Sequence, residues 1–150
     1  MNELQNIRNY IIDLFRLDGL VNTITTLKDE LIDTNKETIY PVVNCEYIKT
    51  DIQDDVILVS YSIKVLDQLD IYTTTTDSKL LTDTNEQDVM NETFLICQTF
   101  INSFRKYNNF NIEIVSVTDL MPVKNENLNG LSGHEFDIVL STLNIGSACQ

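Results

Sequence analysis

Residues 56–66 alternate between apolar and polar positions. The residues that would share the apolar side are Ile57, Val59, Tyr61, Ile63 and Val65. Ser60, Ser62 and Lys64 fall on the other side. Successive side chains of a strand point to opposite faces of a sheet, so this pattern predicts a strand with one dry and one wet side.

The same alternation recurs in three other segments. Residues 39–48, 110–118 and 134–143 are predicted as strands, and residues 20–27 as a short strand or an extended arm. The short polar segment 49–55 is predicted as a turn, and it would join the first two long strands into an antiparallel hairpin.

Two segments show the three- and four-residue spacing of amphipathic helices. Residues 3–17 are predicted as a helix on Leu4, Ile7, Ile11 and Leu14, with Gly19 as its stop. Residues 84–107 are predicted as a second helix, with Thr84 as its N-cap. Its central apolar stripe is predicted to be Met90, Phe94, Cys97, Ile101 and Phe104, with Val89, Thr93 and Phe100 beside it. Acidic residues in its first turn and basic residues in its last turn interact favourably with the helix dipole, which supports this prediction.

The remaining segments, 28–38, 67–82 and 119–133, are predicted as polar loops. The predicted order is α-β-β-α-β-β, an α+β fold with a four-stranded, mainly antiparallel sheet. Such a sheet must bury its apolar face, so both helices are expected on one side, which leaves the other side polar and free. We expect a single domain over residues 1–150, with the N-terminal helix in 1–19 and a loose tail in 144–150.

The chain is strongly acidic. Its 150 residues include 23 acidic and 10 basic side chains, for a net charge of −13. Phosphate binding needs clustered Lys and Arg, so this balance argues against a groove that grips nucleic acid, although DNA could still pass the protein without sticking. Solubility is the simpler explanation of the charge.

Few residues suggest a cofactor, a metal site or a membrane segment. Cys45, Cys97 and Cys149 are widely spaced without a zinc-type pattern, and the first two are predicted as buried free thiols. The aspartates of 67–83 lack the glycine and glutamate of a calcium loop and favour a solvated loop. No apolar run is long enough to cross a bilayer, and the N-terminus does not resemble a secretory signal.

Catalytic residues are equally scarce. His134 is the only histidine, and its neighbour Glu135 would point to the opposite face of a strand. Residues 128–133 contain two glycines but no Lys, and they are predicted as a turn rather than a phosphate-binding loop. We therefore expect no enzyme activity, metal or cofactor.

Four segments, taken in order, resemble a known family. They are Tyr40-Pro41-Val42, residues 60–70 ending in Val-Leu-Asp-Gln-Leu-Asp, residues 83–93 at the start of the second helix, and residues 128–136. Together they are similar to the small neck and tail-completion proteins of tailed bacteriophages, particularly those of phages that infect Bacteroidetes. The resemblance covers roughly residues 38–143.

The resemblance implies a virion structural protein of the tail-terminator or head–tail connector kind, made in the host bacterial cytoplasm. Such proteins form closed rings around the DNA channel, beside portal, connector or tail-tube proteins, and perform no chemistry. Six copies would suit a tail terminator and twelve a portal adaptor. Independently of the resemblance, polar loops are candidates for subunit contacts or for the channel wall. The candidate residues in these loops are Asp51, Asp54, Asp55, Asp67, Asp70, Asp77, Asn127 and Asn129.

Two alternatives stay open. One is another structural component, such as a tail-tube or adaptor protein with the same fold. The other is a small acidic binding module that stays monomeric. Association measured over a range of concentrations separates the module from the ring-forming proteins.

Overall fold

The computed structural model describes residues 3–26, 40–69, 85–106, 111–126 and 130–144. The helices in these ranges are α1 (Glu3–Arg16) and α2 (Glu86–Lys106). The strands are β1 (Thr23–Thr25), β2 (Val42–Ile52), β3 (Val56–Gln68), β4 (Ile112–Val117), β5 (Met121–Glu126) and β6 (Leu131–Leu143). The predicted loop 28–38, the Thr84 cap, Cys149 and the end of the predicted tail lie outside the described residues.

The described strands form one sheet in the order β1-β2-β3-β6-β4, with β5 also paired to β6. β1 runs parallel to β2, and the other pairs are antiparallel. The α+β class is confirmed. The four-stranded sheet and the order α-β-β-α-β-β are wrong, because the part of the sheet described here is mixed and has six strands.

The predicted loop 119–133 contains β5 and the start of β6. Pro122 obscured this strand in the sequence, because proline lacks the N–H that a central strand needs. Here β5 pairs with β6 alone among the described strands, so an edge position accommodates the proline. β4 and β5 lie end to end along β6 as one interrupted edge.

Thr118 lies at the interruption between β4 and β5. Its backbone N–H donates to the carbonyl oxygen of Asp137 at 2.9 Å, and its side-chain oxygen accepts from the Asp137 N–H at 2.8 Å. One threonine thus satisfies both backbone groups of the facing residue where the regular ladder breaks.

The β2–β3 hairpin is longer than predicted. β2 continues to Ile52, so the segment predicted as a turn over 49–55 is mostly strand, and only residues 53–55 make the connection. A register shift between Tyr47 and Lys49 explains the error. A β-bulge inserts one residue, which reverses the alternation beyond it and hides the strand from a period-two pattern.

α2 buries a different side from the one predicted to be central. Its buried residues are Val89, Thr93, Ile96, Cys97, Phe100 and Phe104. Phe94, assigned to the middle of the stripe, is 42% exposed, whereas Thr93 is fully buried. The side chain of Thr93 donates to the Val89 carbonyl oxygen at 2.8 Å, which removes the cost of burying a hydroxyl.

Both helices pack against the same face of the sheet and share one core with it, as expected. The rings of Phe15 from α1 and Phe100 from α2 stack with centroids 4.2 Å apart, and Phe100 also contacts Phe136 of β6. Cys45 and Cys97 are buried in this core as free thiols, which confirms that prediction.

The opposite sheet face is not the wholly polar, free surface that was expected. Val42, Leu66, Val123 and Leu131 form a second buried cluster there. Lys64, which lies on the same face of β3 as Leu66, is only 7% exposed. The expectation is therefore wrong at this end of the sheet. Neither described helix is long and apolar enough to cross a membrane.

Candidate functional site

The end of the β2–β3 hairpin carries three of the predicted interface residues. We call residues 51–55 the hairpin tip. Asp51, Asp54 and Asp55 are all exposed, and Ile52 among them is 72% exposed. The tip is therefore an aliphatic side chain surrounded by carboxylates, with no basic residue within it.

Four hydrogen bonds fix the shape of the hairpin tip. The Gln53 N–H donates to the Val56 carbonyl oxygen at 2.9 Å, and the Gln53 side chain donates to the Asp51 carboxylate at 3.0 Å. Asn144, just after β6, donates its backbone N–H to the Asp55 carbonyl and its side-chain amide to the Gln53 carbonyl. A surface held in one shape loses less entropy when it binds.

The ribbon behind the tip also exposes apolar residues. Tyr47 is 48% and Ile48 is 50% exposed. The Tyr47 ring meets the Tyr61 ring edge to face at 5.8 Å, and its hydroxyl is hydrogen-bonded to the Thr50 hydroxyl. The outer half of the hairpin thus presents an ordered apolar surface to the solvent.

At the other end of β3, Asp67 interacts with Glu92 of α2. Burial, then a side-chain hydrogen bond with Asp67 and the negative charge of Asp67, raise the pKa of Glu92. Two negative carboxylates in contact repel each other, which favours the protonated form of Glu92. Since β3 runs to Gln68, Asp67 is a strand residue facing a helix and not, as predicted, the start of a loop.

The one histidine lies close to this pair. His134 Nδ1 is 2.9 Å from the Thr93 hydroxyl oxygen, and its ring lies edge to face with Phe94 at 6.1 Å. Burial lowers the pKa of His134. Glu135 pairs instead with Lys64, whose Nζ lies 3.5 Å from a Glu135 carboxylate oxygen. Thr93 and His134 therefore anchor the first half of α2 to the sheet.

The described side chains offer little to a metal ion or to thiol chemistry. Among them, no group of three or more His, Cys, Asp and Glu is placed to hold a metal. Burial raises the pKa of both Cys45 and Cys97 to about 12, so these thiols stay protonated at neutral pH.

An open groove of about 380 Å³ lies between α1 and the adjacent ends of β4 and β6. Glu3 and Asp13 give it carboxylates, and Asp13 is already paired with Arg16 at 3.4 Å. Tyr10 lines the groove, and burial raises the pKa of its hydroxyl. The groove carries two carboxylates on a partly apolar lining, and its described residues do not bring a catalytic group together.

The two outer strands of the described sheet, β1 and β4, lie at opposite ends of it and differ from each other. β1 has three residues, whereas β4 has six, Ile-Glu-Ile-Val-Ser-Val, without lysine or proline. Val115 of β4 is 54% exposed and lies at the register shift between Ile114 and Ser116. Exposed edges of this kind are the places where strands of another chain can pair.

Four of the predicted interface residues lie outside the described residues. They are Asp70, Asp77, Asn127 and Asn129. Sequence reasoning missed Ile52, Glu92 and Asn144. Ile52 was an available signal, as an aliphatic residue flanked by aspartate and glutamine. The roles of Glu92 and Asn144 depend on partners 25 and 91 positions away in sequence, which no local pattern reveals.

No protein-family model matches this chain, and no curated protein matches it. The assignment of a function therefore depends on the residues and surfaces described above.

Proposed function

We propose that the protein is a structural subunit of a tailed-bacteriophage virion, a tail terminator or head–tail connector that forms a closed ring around the DNA channel. The order of the four sequence segments that resemble phage neck and tail-completion proteins supports this role. The α+β fold, with both helices on one face of the sheet, is compatible with it.

The observation that carries the proposal is the pair of unlike sheet edges, β1 and β4, at opposite ends of the described sheet. A contact between two different surfaces leaves one of each free on every subunit, so it repeats head to tail and closes into a ring if the rotation is right. An isologous dimer needs only one self-complementary surface.

The net charge of −13 fits a channel through which DNA moves. Repeated around a ring, acidic side chains repel phosphates, so DNA slides without binding. The exposed aspartates of the hairpin tip and the predicted residues Asp70, Asp77, Asn127 and Asn129 are candidates for the channel wall or the subunit contacts.

Virions of the phage that encodes the chain provide the direct test. We expect mass spectrometry to detect the chain in purified particles and electron microscopy to locate it in a ring of six or twelve copies at the neck or tail end. Absence of the chain from the particles would contradict the proposal. A different position in the tail would favour the tube or adaptor alternative.

The edge contact has its own test. Val115→Lys places a charge on the β4 edge, as natural edge strands do, and is expected to weaken ring formation. Val115→Thr keeps a β-branched residue and serves as the control. Native mass spectrometry should give six or twelve times the 17.2 kDa chain mass for the wild type and the control.

The acidic monomeric module is the second candidate, and the charge is the observation that favours it. Copies with −13 each repel one another unless a local contact compensates. A species of 17.2 kDa at every concentration, together with absence from virions, would support this candidate.

A further inference from the structure

We infer that the hairpin tip of one copy docks on the exposed side of α2 in a second copy, in a contact repeated head to tail. The inference rests on the proposed function, because it names a contact between ring subunits. It concerns surfaces other than the β1 and β4 edges.

The net charge sets the condition for any such contact. Two copies at −13 repel, and a contact in which a negative surface of one meets a positive surface of the other offsets that repulsion. The hairpin tip supplies the negative surface: three exposed carboxylates within five residues, around Ile52.

The positive surface lies in the longest segment of the chain without an acidic residue. Between Glu92 and Glu113 there are 20 residues with no Asp or Glu, and their only charged side chains are Arg105 and Lys106. These two are the only adjacent basic residues in the chain. They end α2, and both are exposed.

The exposed side of α2 combines this charge with an apolar residue. We define the helix face as Leu95, Gln98, Thr99, Asn102, Arg105 and Lys106, all exposed. Their spacing of three and four places them along one side of the helix. Leu95 is 47% exposed, so the helix face has an apolar end, a neutral polar middle and a basic end.

The two surfaces match in composition and length. The hairpin from Ile48 to Ile52 is about 13 Å long at the strand rise of roughly 3.3 Å per residue. The helix face from Leu95 to Lys106 is about 16 Å long at roughly 1.5 Å per residue. Ile48 can meet Leu95 while the tip carboxylates meet Arg105 and Lys106.

The hydrogen bonds from Asn144 and within the turn hold the tip in shape before it binds. The two surfaces belong to different elements, so each copy that donates its tip still presents its helix face. The contact is therefore heterologous, as a closed ring requires.

Charge reversal tests the contact. We expect Asp54→Lys/Asp55→Lys and, separately, Arg105→Glu/Lys106→Glu to raise the dissociation constant for self-association by at least about tenfold, because each places like charges together. A chain with all four changes should regain association, since the charges are then exchanged. Sedimentation velocity over a wide concentration range measures all three variants.

The charge-matched control is Asp88→Lys/Asp119→Lys, which changes the net charge as much as the tip variant but at exposed residues outside both surfaces. It should associate at least as well as the wild type. Thermal unfolding of each variant verifies that it folds.

Association of both reversed variants as tight as that of the wild type would overturn the inference, and so would a four-residue variant that does not recover. A wild type that stays at 17.2 kDa at every concentration overturns it as well. A ring in virions, found with unaffected reversed variants, would sustain the proposed function while this docking contact fails.

Discussion

The two ends of the β2–β3 hairpin belong to the same two strands but have opposite surroundings. Val42 to Cys45 at the start of β2 are all buried, whereas Ile52 at its end is 72% exposed. Both ends carry strand-forming apolar residues. The difference comes from packing: the core beneath the helices covers Val43 and Cys45, the second cluster on the opposite face covers Val42, and Ile52 lies beyond both.

This contrast separates stability from interaction. Side chains at the covered end exchange water for packed neighbours, so their loss costs folding free energy. Side chains at the tip stay solvated in the folded monomer and are buried only when a partner binds. Truncating them should therefore weaken association and leave the free energy of unfolding almost unchanged. Substitutions at buried positions, each paired with one at an exposed position, test this division.

The largest effect is expected for Phe100→Ala. Phe100 is 2% exposed and packs on Phe15, Phe104 and Phe136, so truncation leaves a cavity and should lower the free energy of unfolding by about 3–5 kcal/mol. Ile52→Ala at the tip should cost less than about 1 kcal/mol. Urea unfolding of both variants measures the difference. Equal losses would contradict the division between the covered core and the exposed tip.

Gly133→Ala is expected to have the next largest effect. A Cβ at this position would lie 1.9 Å from the Val65 carbonyl oxygen, so two paired strands must separate, at a cost of about 3 kcal/mol. Gly19→Ala is the control, because a Cβ there meets nothing within 4 Å, and its effect should stay within about 0.5 kcal/mol. Thermal melts compare them, and a tolerated alanine at 133 would show that the strand pairing is looser than described.

Thr93→Val should lower stability by about 1–2 kcal/mol. The change keeps the shape of the side chain but removes the hydroxyl that contacts His134, which leaves a partly buried ring nitrogen without that partner. Thr50→Val near the tip is the control, because it removes the hydroxyl that is hydrogen-bonded to the exposed Tyr47 hydroxyl. Water can take the place of the lost hydroxyl there, so the free energy of unfolding should change by less than about 0.5 kcal/mol. Chemical denaturation distinguishes the two, and equal effects would refute the assigned role of Thr93.

The smallest effect is expected for Glu92→Gln, and it should depend on pH. The pKa of Glu92 is raised above 4.5 in the folded protein, so its contribution to stability is present below pH 4.5 and is lost as the pH rises through the folded value. The glutamine variant should therefore be more stable than wild type at neutral pH, by less than about 1 kcal/mol because the site is partly exposed.

The gain should vanish below pH 4.5, where wild-type Glu92 is protonated in both states. In an Asp67→Asn background the gain should shrink, because the neighbouring charge is gone. Unfolding curves of the variant and its parent chain are compared at each of several pH values. The titration of His134 is common to both chains and cancels in the difference. A gain independent of pH would contradict the raised pKa of Glu92.

Local patterns predicted the elements better than their surroundings. The alternation over residues 56–66 and the spacing of Ile7, Ile11 and Leu14 identified β3 and α1, because a strand or helix repeats over a few neighbouring residues. The bulge after Tyr47 and the proline in β5 broke the pattern, so the end of β2 and the whole of β5 were missed.

The interface candidates show the same limit. Asp51, Asp54 and Asp55 could be placed in an exposed turn because three carboxylates in five residues are rarely buried. The hydrogen bonds from Asn144 that hold this turn, and the contact between Asp67 and Glu92, join residues distant in sequence. Their proximity depends on the packing of α2 and β6 against the hairpin.

The sequence by itself determined the α+β class, the two described helices, the long strands and the acidic charge, since each follows from composition or from short-range periodicity. Only the tertiary structure decided which side of α2 is buried, how β4 and β5 share one edge, and where the hairpin leaves the core. Those features depend on which surfaces meet across the fold, and burial is a property of the contact rather than of either segment alone.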